Sequence, residues 1–506
     1  MRRVVVVGHG MVGSRFTELL VEADPAVHVT VLGKEPVAAY NRVLLSSVVA
    51  GSKSPEVLGL AGPAHPRVRV LTGVTATAVD RRRMVVVDDL GDEHPYDELV
   101  LATGSAARVP PIQGVAYDEG LVEGVFVLKD MTDATGIVEA AGRSRRAVVL
   151  GAGVLGVEVA TGLATRGLSV RIVHLADRLM ERQLGWEASQ VAINSLERLG
   201  ITTHVGASVV GVTTRRGRLE GIRFADGVEA AADLFVMCCG TVPETMLARR
   251  SGLTVDRGVV VTDALASPDD PHVHAVGDCA QPPSGGTGLV AQGWQQAAAL
   301  VATLTTGATA PGTAPGSTTH DVVRVKASGM SMVSMGASGD VDRDDPRFRV
   351  LSLKDPERGR YVEVVVAGGL LAGATCIGDA EVAATLSALY TRSLPVPDDP
   401  ALLMVRALAG GGAAAAARRP EELEDGDRVC TCNSVSAGRI REAVRGGCTS
   451  AAEVSAATRA STGCGDCRGV VEALVAAGPG PHGTPPTRRH DTTTDLQDQT
   501  LVRSTS

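Results

Sequence analysis

Four of the nine cysteines fall into two close pairs late in the 506-residue chain. Cys430 and Cys432 form a C-x-C, Cys464 and Cys467 form a C-x-x-C, and 31 residues lie between the pairs. Thiolates are soft anionic ligands, and short spacers on tight turns let the members of a pair bind at one site. Such a set suits a tetrahedral zinc ion or an iron–sulfur cluster. Zinc sites more often repeat the two-residue spacer in both halves, so the C-x-C tilts the reading towards iron. Gly463 and Gly465 flank Cys464, and their freedom to take positive φ lets backbone wrap the sulfurs. Cys448 stands outside both pairs and reads as a cap or packing residue.

A second chemistry-bearing pattern opens the chain. Gly8, Gly10 and Gly13 make a G-x-G-x-x-G after the apolar run Val4 to Val7 and before a helical pattern. The first glycine allows the tight turn, the second lets backbone approach a pyrophosphate, and the third lets helix pack on strand. The free N–H groups of the helix then face the phosphates. Glu35 follows 22 residues after Gly13, where a carboxylate can accept hydrogen bonds from ribose hydroxyls. A glycine triplet alone also fits a plain tight turn; strand, helix and acid together point to a dinucleotide. The unit recurs at Gly151, Gly153 and Gly156, so two dinucleotides are expected, one resident and one that comes and goes.

Two shorter segments complete the pattern. An apolar strand ends in Ala102, Thr103 and Gly104, and another ends in Gly277 and Asp278. The four signals, in this order over about 280 residues, resemble the pyridine nucleotide-disulfide oxidoreductase superfamily. The resemblance implies FAD and NAD(P)H as cofactors and a glutathione-reductase-like α/β fold with two Rossmann-like domains. It implies a discontinuous FAD-binding domain at 1–130 and 256–310, with an NAD(P)-binding domain inserted at 131–255. Thr103 and Gly104 would connect the two, Asp278 and Gly277 would lie beside the flavin, and Gly240 would contribute to cofactor binding. Glu158 would lie near the nicotinamide, and His174 would sit where the coenzyme's ribose is read, without deciding between NADH and NADPH. Members that act on disulfides carry a cysteine pair near the flavin; here the first cysteine is Cys238, so no such disulfide is expected.

The stretch "YNRVLLSSVVAG", containing Asn41 and Arg42, has Ser46 and Ser47 where related ferredoxin reductases carry a lysine. With "RLMERQLGWEAS" and "VKASGMSMVSMG" it resembles the amino-terminal half of assimilatory nitrite reductase large subunits and the electron-transfer subunit of assimilatory nitrate reductase. On that resemblance Arg42 and Glu158 are the catalytic candidates, and Asn41 joins the cofactor-binding set. The terminal cysteines resemble the bacterioferritin-associated ferredoxin-like (BFD-like) domain, which implies a [2Fe-2S] cluster on Cys430, Cys432, Cys464 and Cys467.

The intervening composition supplies the frame. Residues 318–406 alternate short β-type runs and turns and read as a small α+β domain, 407–425 as a linker, 426–477 as the small helical cluster domain, and 478–506 as a disordered tail. A chain this long exceeds one ordinary core, and 44% hydrophobic residues with a mean hydropathy of +0.13 are enough to bury several. A net charge of −8 without basic runs argues against a nucleic-acid partner. No membrane span or signal peptide is expected, so a cytoplasmic protein with free or metal-bound thiols follows.

The implied activity is NAD(P)H:acceptor oxidoreduction. Hydride would pass to FAD and single electrons through the [2Fe-2S] cluster to a separate catalytic subunit of a nitrate or nitrite reductase, or to a small redox protein. The cysteine set of a sirohaem half is missing, so the chain is not expected to reduce nitrite itself. A stand-alone ferredoxin or rubredoxin reductase, a redox-sensing flavoprotein and a homodimer stay open.

Overall fold

A computed structural model describes residues 2–60, 62, 65–117, 120–286, 288–307, 322–339, 341–404, 423–430, 435–462 and 467–478. Cys432 and Cys464, most of the expected linker, and the expected tail beyond residue 478 lie outside the described residues. Mixed α/β architecture is what the described residues adopt: two mainly parallel sheets with helices, a five-stranded antiparallel sheet, smaller antiparallel sheets and a small helical unit.

Strand Arg3–Val7, buried along nearly its whole length, lies between His28–Gly33 and Glu98–Leu101, parallel to both. A strand covered on both faces is apolar throughout rather than alternating. Val68–Thr72 extends one side of this first sheet, and Asp270–Ala275 pairs in parallel with Glu98–Leu101 on the other. Helices Met11–Ala23 and Val290–Thr306 pack on one another beside it.

Between Glu98–Leu101 and Asp270–Ala275 the chain builds a second parallel sheet. Its order is Val125–Val127, Leu234–Met237, Arg146–Leu150, Ser169–Val173, Thr202–His204. Helix Met131–Ala141 enters through a capping box in which Asp130 and Asp133 exchange side-chain to backbone hydrogen bonds. Strands Val323–Ala327, Met330–Gly336, Leu370–Ile377, Arg360–Ala367 and Arg349–Asp355 then form the antiparallel sheet, with helix Ala380–Arg392 against it. A short ladder, Arg428–Cys430 with Val435–Ser436, and helices Ala437–Arg445, Ala451–Thr458 and Arg468–Ala476 make the last unit.

One hydrophobic core ties three of these units together. Leu163, Ile172 and Val191 of the second unit are joined by Leu44, Leu45 and Val49 from the first and by Val325, Met332 and Tyr361 from the antiparallel sheet. Among the described residues no helix is long and apolar enough to cross a membrane.

Leu163 is fully buried at the heart of this shared core. Leu163→Ala should destabilise the protein by about 2–5 kcal/mol, the transfer term plus the cavity left behind. Denaturant unfolding followed by circular dichroism measures the shift, and an unchanged midpoint would refute the shared core.

Candidate functional site

Both glycine turns owe their shape to backbone crowding. Gly8 has φ +115°, and a Cβ there would lie 2.1 Å from the Ala102 carbonyl oxygen; a Cβ on Gly13 would lie 2.0 Å from the Gly8 oxygen. Gly151 (φ +102°) and Gly156 repeat this, with 2.4 Å to the Cys238 oxygen and 1.9 Å to the Gly151 oxygen. The middle glycines differ. Gly10 would meet only the Arg42 guanidinium, 3.8 Å away, and Gly153 faces nothing within 4 Å. Each middle glycine is the N-cap of a helix that no side chain caps, so first-turn N–H groups stay available to an anion.

The first turn carries its own vacancy in hydrogen bonding. Both ring nitrogens of His9 are buried without a hydrogen-bond partner, and burial pushes its pKa down, so the ring is neutral. Orphaned polar atoms at a phosphate-shaped turn fit a bound dinucleotide. Nearby, Glu35 accepts from Tyr40 Oη at 2.7 Å and pairs with Arg42, whose guanidinium also stacks 4.9 Å over the Tyr40 ring. Burial is the first cause that pushes the Tyr40 phenol up, and it stays a donor. Glu35, Arg42 and the turn therefore come together at one place.

Asn41 does not face that place. Its Oδ1 accepts from Val43 N at 3.1 Å, and its Nδ2 donates to the Thr462 carbonyl oxygen at 2.7 Å, with the residue 1% exposed. Thr103 donates to the Glu244 oxygen at 2.8 Å, and Glu244 N donates to the Gly104 oxygen at 2.9 Å. Gly104, Gly240 and Gly277 all take positive φ. Asp278 accepts from Ser105 Oγ at 2.7 Å, and Lys129 Nζ donates to the same hydroxyl at 2.7 Å while lying 3.8 Å from the carboxylate. Burial depresses the Lys129 pKa, against the pull of Asp278. Lys129 and Ser105 are members of this group that no sequence pattern announced.

Glu158 is 3% exposed on helix Val154–Thr165. Ser46 Oγ donates to it at 2.5 Å, Lys326 N at 2.8 Å and Lys326 Nζ at 3.1 Å. The carboxylate, on the second unit, thus collects donors from the other two. The lysine lacking at Ser46 and Ser47 has a spatial counterpart in Lys326, on an antiparallel strand 168 residues from Glu158. Only the quoted "VKASG" stretch hinted at that strand, and nothing in it singles out the lysine. His174 accepts from Ala152 N through Nδ1 at 3.3 Å, and its Nε2 meets Glu181 at 2.9 Å, which fixes Nδ1 as the unprotonated nitrogen.

Cys238 and Cys239 sit where the protonated thiol is favoured. Burial raises both thiol pKa values, that of Cys239 to about 11. In the last unit Cys430 and Cys467 are buried and hydrogen-bonded to each other, a contact that, with burial, pushes the Cys467 thiol up. Ser461 N donates to Cys467 Sγ at 3.1 Å, and its hydroxyl lies 3.4 Å from the same sulfur. Cys448 packs against the core of that unit. One cysteine from each sequence pair is therefore gathered into the same small buried place, and thiols collected there would fit a thiolate-held cluster.

Residues 2–299 match the family pyridine nucleotide-disulphide oxidoreductase, residues 322–393 the rubredoxin NAD+ reductase C-terminal domain, and residues 428–477 the BFD-like [2Fe-2S] binding domain. The chain belongs to the pyridine nucleotide-disulphide oxidoreductase family. This oxidoreductase is 33% identical over 479 residues to nitrite reductase [NAD(P)H] of Bacillus subtilis (strain 168), covering 94% of the chain and 57% of that relative. It is 28% identical over 482 residues to the assimilatory nitrate reductase electron transfer subunit of the same organism, covering 94% of the chain and 59% of the relative. The chain thus spans little more than half the length of these relatives. Its fold matches the ferredoxin reductase of Rhodopseudomonas palustris with a TM-score of 0.65 at 21% identity, over 80% of this chain and 100% of that one. FAD, NAD(P)H and a [2Fe-2S] cluster are the oxidoreductase's cofactors.

Lys326→Met would leave the Glu158 carboxylate buried without its cation and should cost about 3 kcal/mol. Glu158→Gln combined with Lys326→Met removes both charges and should recover much of that loss. Urea unfolding of the two single variants and the double variant gives the cycle; independent, additive losses would refute the coupling.

Proposed function

We propose that the chain takes electrons from NAD(P)H and delivers them to a catalytic centre of an assimilatory nitrate or nitrite reductase outside these 506 residues. Bound FAD accepts a hydride and releases electrons singly, and a [2Fe-2S] cluster carries one at a time. In this reading Gly8, Gly10 and Gly13 admit the FAD pyrophosphate to the first helix N-terminus, and Glu35 receives its ribose hydroxyls. Arg42 lies over the turn with its cation, while Thr103, Gly104, Gly277 and Asp278 line the path towards the ring system. Lys129 and Ser105 orient the Asp278 carboxylate.

Gly151, Gly153 and Gly156 receive the nicotinamide coenzyme, with His174 and Gly240 at its margins. Glu158 holds the helix that follows against the first unit and the antiparallel sheet, so the two dinucleotide turns keep a fixed mutual orientation. Cys430 and Cys467, with Cys432 and Cys464, bind the iron.

What supports this reading most is the meeting of Cys430 and Cys467 in a small unit that contacts the first dinucleotide unit directly. A reductase that only reduced a soluble ferredoxin or rubredoxin would gain nothing from a second iron–sulfur stage on the same chain. The free thiols Cys238, Cys239, Cys279 and Cys376 suit the reducing cytoplasm, where we place the protein.

Anaerobic addition of NADH or NADPH to the reconstituted protein should bleach the flavin absorbance and then produce the paramagnetic signal of a one-electron-reduced [2Fe-2S] centre. Cys467→Ser should keep the bleaching and lose or alter the signal. A wild-type protein whose flavin bleaches while a dithionite-reducible cluster stays oxidised would refute the relay.

A further inference from the structure

The segment Arg459–Thr462, which precedes the second cysteine pair, is gripped from two sides. Arg459 pairs with Glu18 on helix Met11–Ala23, the helix that opens at the first glycine turn. Thr462 offers its carbonyl oxygen to the buried Asn41 amide at 2.7 Å. Between these anchors Ser461 directs its N–H to Cys467 Sγ at 3.1 Å and places its hydroxyl 3.4 Å from that sulfur.

The contact is shielded from water. Side-chain exposures are 12% for Arg459 and 16% for Glu18, and Arg15 shares the Glu18 carboxylate at 3.3 Å. Burial pushes the Glu18 pKa up and lowers that of Arg459, the cost of removing both charges from solvent. Arg439 and Glu22 add a second, exposed pair at 3.6 Å on the rim. Salt screens that pair, whereas the shielded pair gives the contact its direction.

Backbone shape is part of the same arrangement. Arg459 and Ser461 both have φ +65°, a region that residues with a side chain occupy when their surroundings hold them there. The two anchors immediately flank or coincide with these residues. Without them the segment has less reason to keep Ser461 aimed at sulfur.

We propose that Glu18 and Asn41 form a seat for the cluster-binding segment, one that both admits the electron to the cluster and sets how strongly Ser461 stabilises it. This rests on the electron-relay reading above. Hydrogen bonds to a cluster sulfur favour the reduced, more negative state and raise its potential. The seat therefore couples domain docking to redox poise: a seated segment accepts an electron released by the reduced flavin, and an unseated one is a poorer acceptor. Each NAD(P)H supplies two electrons, which leave the flavin one by one for the cluster and then for the external acceptor, with the proton released to solvent.

Charge reversal tests the seat. Glu18→Lys and Arg459→Glu should each keep the NADH-driven bleaching of flavin at the wild-type rate while slowing cluster reduction by about tenfold, within what one coupled charge pair can shift. Each should also lower the cluster midpoint potential in a dye-mediated titration read by electron paramagnetic resonance. The double variant, with the pair restored in reverse, should recover both rate and potential.

Flavin bleaching in each sample reports that the fold is intact, and Glu18→Gln offers a milder variant with an intermediate effect. Wild-type cluster kinetics and potential in the single variants, or no recovery in the double variant, would overturn the seat. Failure of the wild-type cluster to accept electrons at all would instead overturn the relay on which the seat rests.

Discussion

Glu158 is the charge around which the three larger units are arranged. A carboxylate removed from water demands compensation, and no single unit supplies it: Ser46 donates from the first, Lys326 from the antiparallel sheet, and the helix itself belongs to the second. Because the surrounding core is also shared, with Leu45 and Val325 packed beside Leu163, the apolar and polar requirements are met by the same placement. Rotation of one unit against another would expose apolar surface and strand a buried charge together. The two glycine turns are therefore held in one relative orientation, which hydride transfer between two bound dinucleotides requires.

Around that fixed pair the polar side chains divide into those that close on themselves and those that stay available. Glu35, Tyr40 and Arg42 satisfy one another next to the first turn, and Ser105, Lys129 and Asp278 do so at its far margin. His9 does not: both its nitrogens are enclosed and unpaired, on the residue between the first two glycines of the first turn. A neutral ring there can donate to a ligand oxygen without bringing a charge into the turn.

The cluster unit is attached differently. Among the described residues it meets the first dinucleotide unit through a shielded ion pair, an exposed ion pair and a buried hydrogen bond from a side-chain amide. A polar, directional contact of this kind orients a domain without the large apolar area that would make it permanent. That would suit the carrier role proposed above, in which electrons arrive on one side and leave on another.

Much of the first half was legible in residue order because its constraint is local. Gly13 must lack a side chain since its own turn's Gly8 oxygen occupies the space, and Gly156 repeats the requirement against Gly151, so a fixed spacing of glycines announces each turn. The cysteine pairs are legible for the same reason, as ligands of one metal site must be close in chain or brought close by a small fold. Lys326 facing Glu158, Arg459 facing Glu18 and Thr462 facing Asn41 were not legible. Their partners are 168, 441 and 421 residues apart, and a side chain's charge states what it needs but not which distant unit provides it. Residue order alone determined which chemistry the chain could host. Tertiary packing decided which lysine balances the buried carboxylate, and that the Asn41 amide donates to Thr462 of the last unit, because burial and hydrogen-bond direction exist only once the units have met.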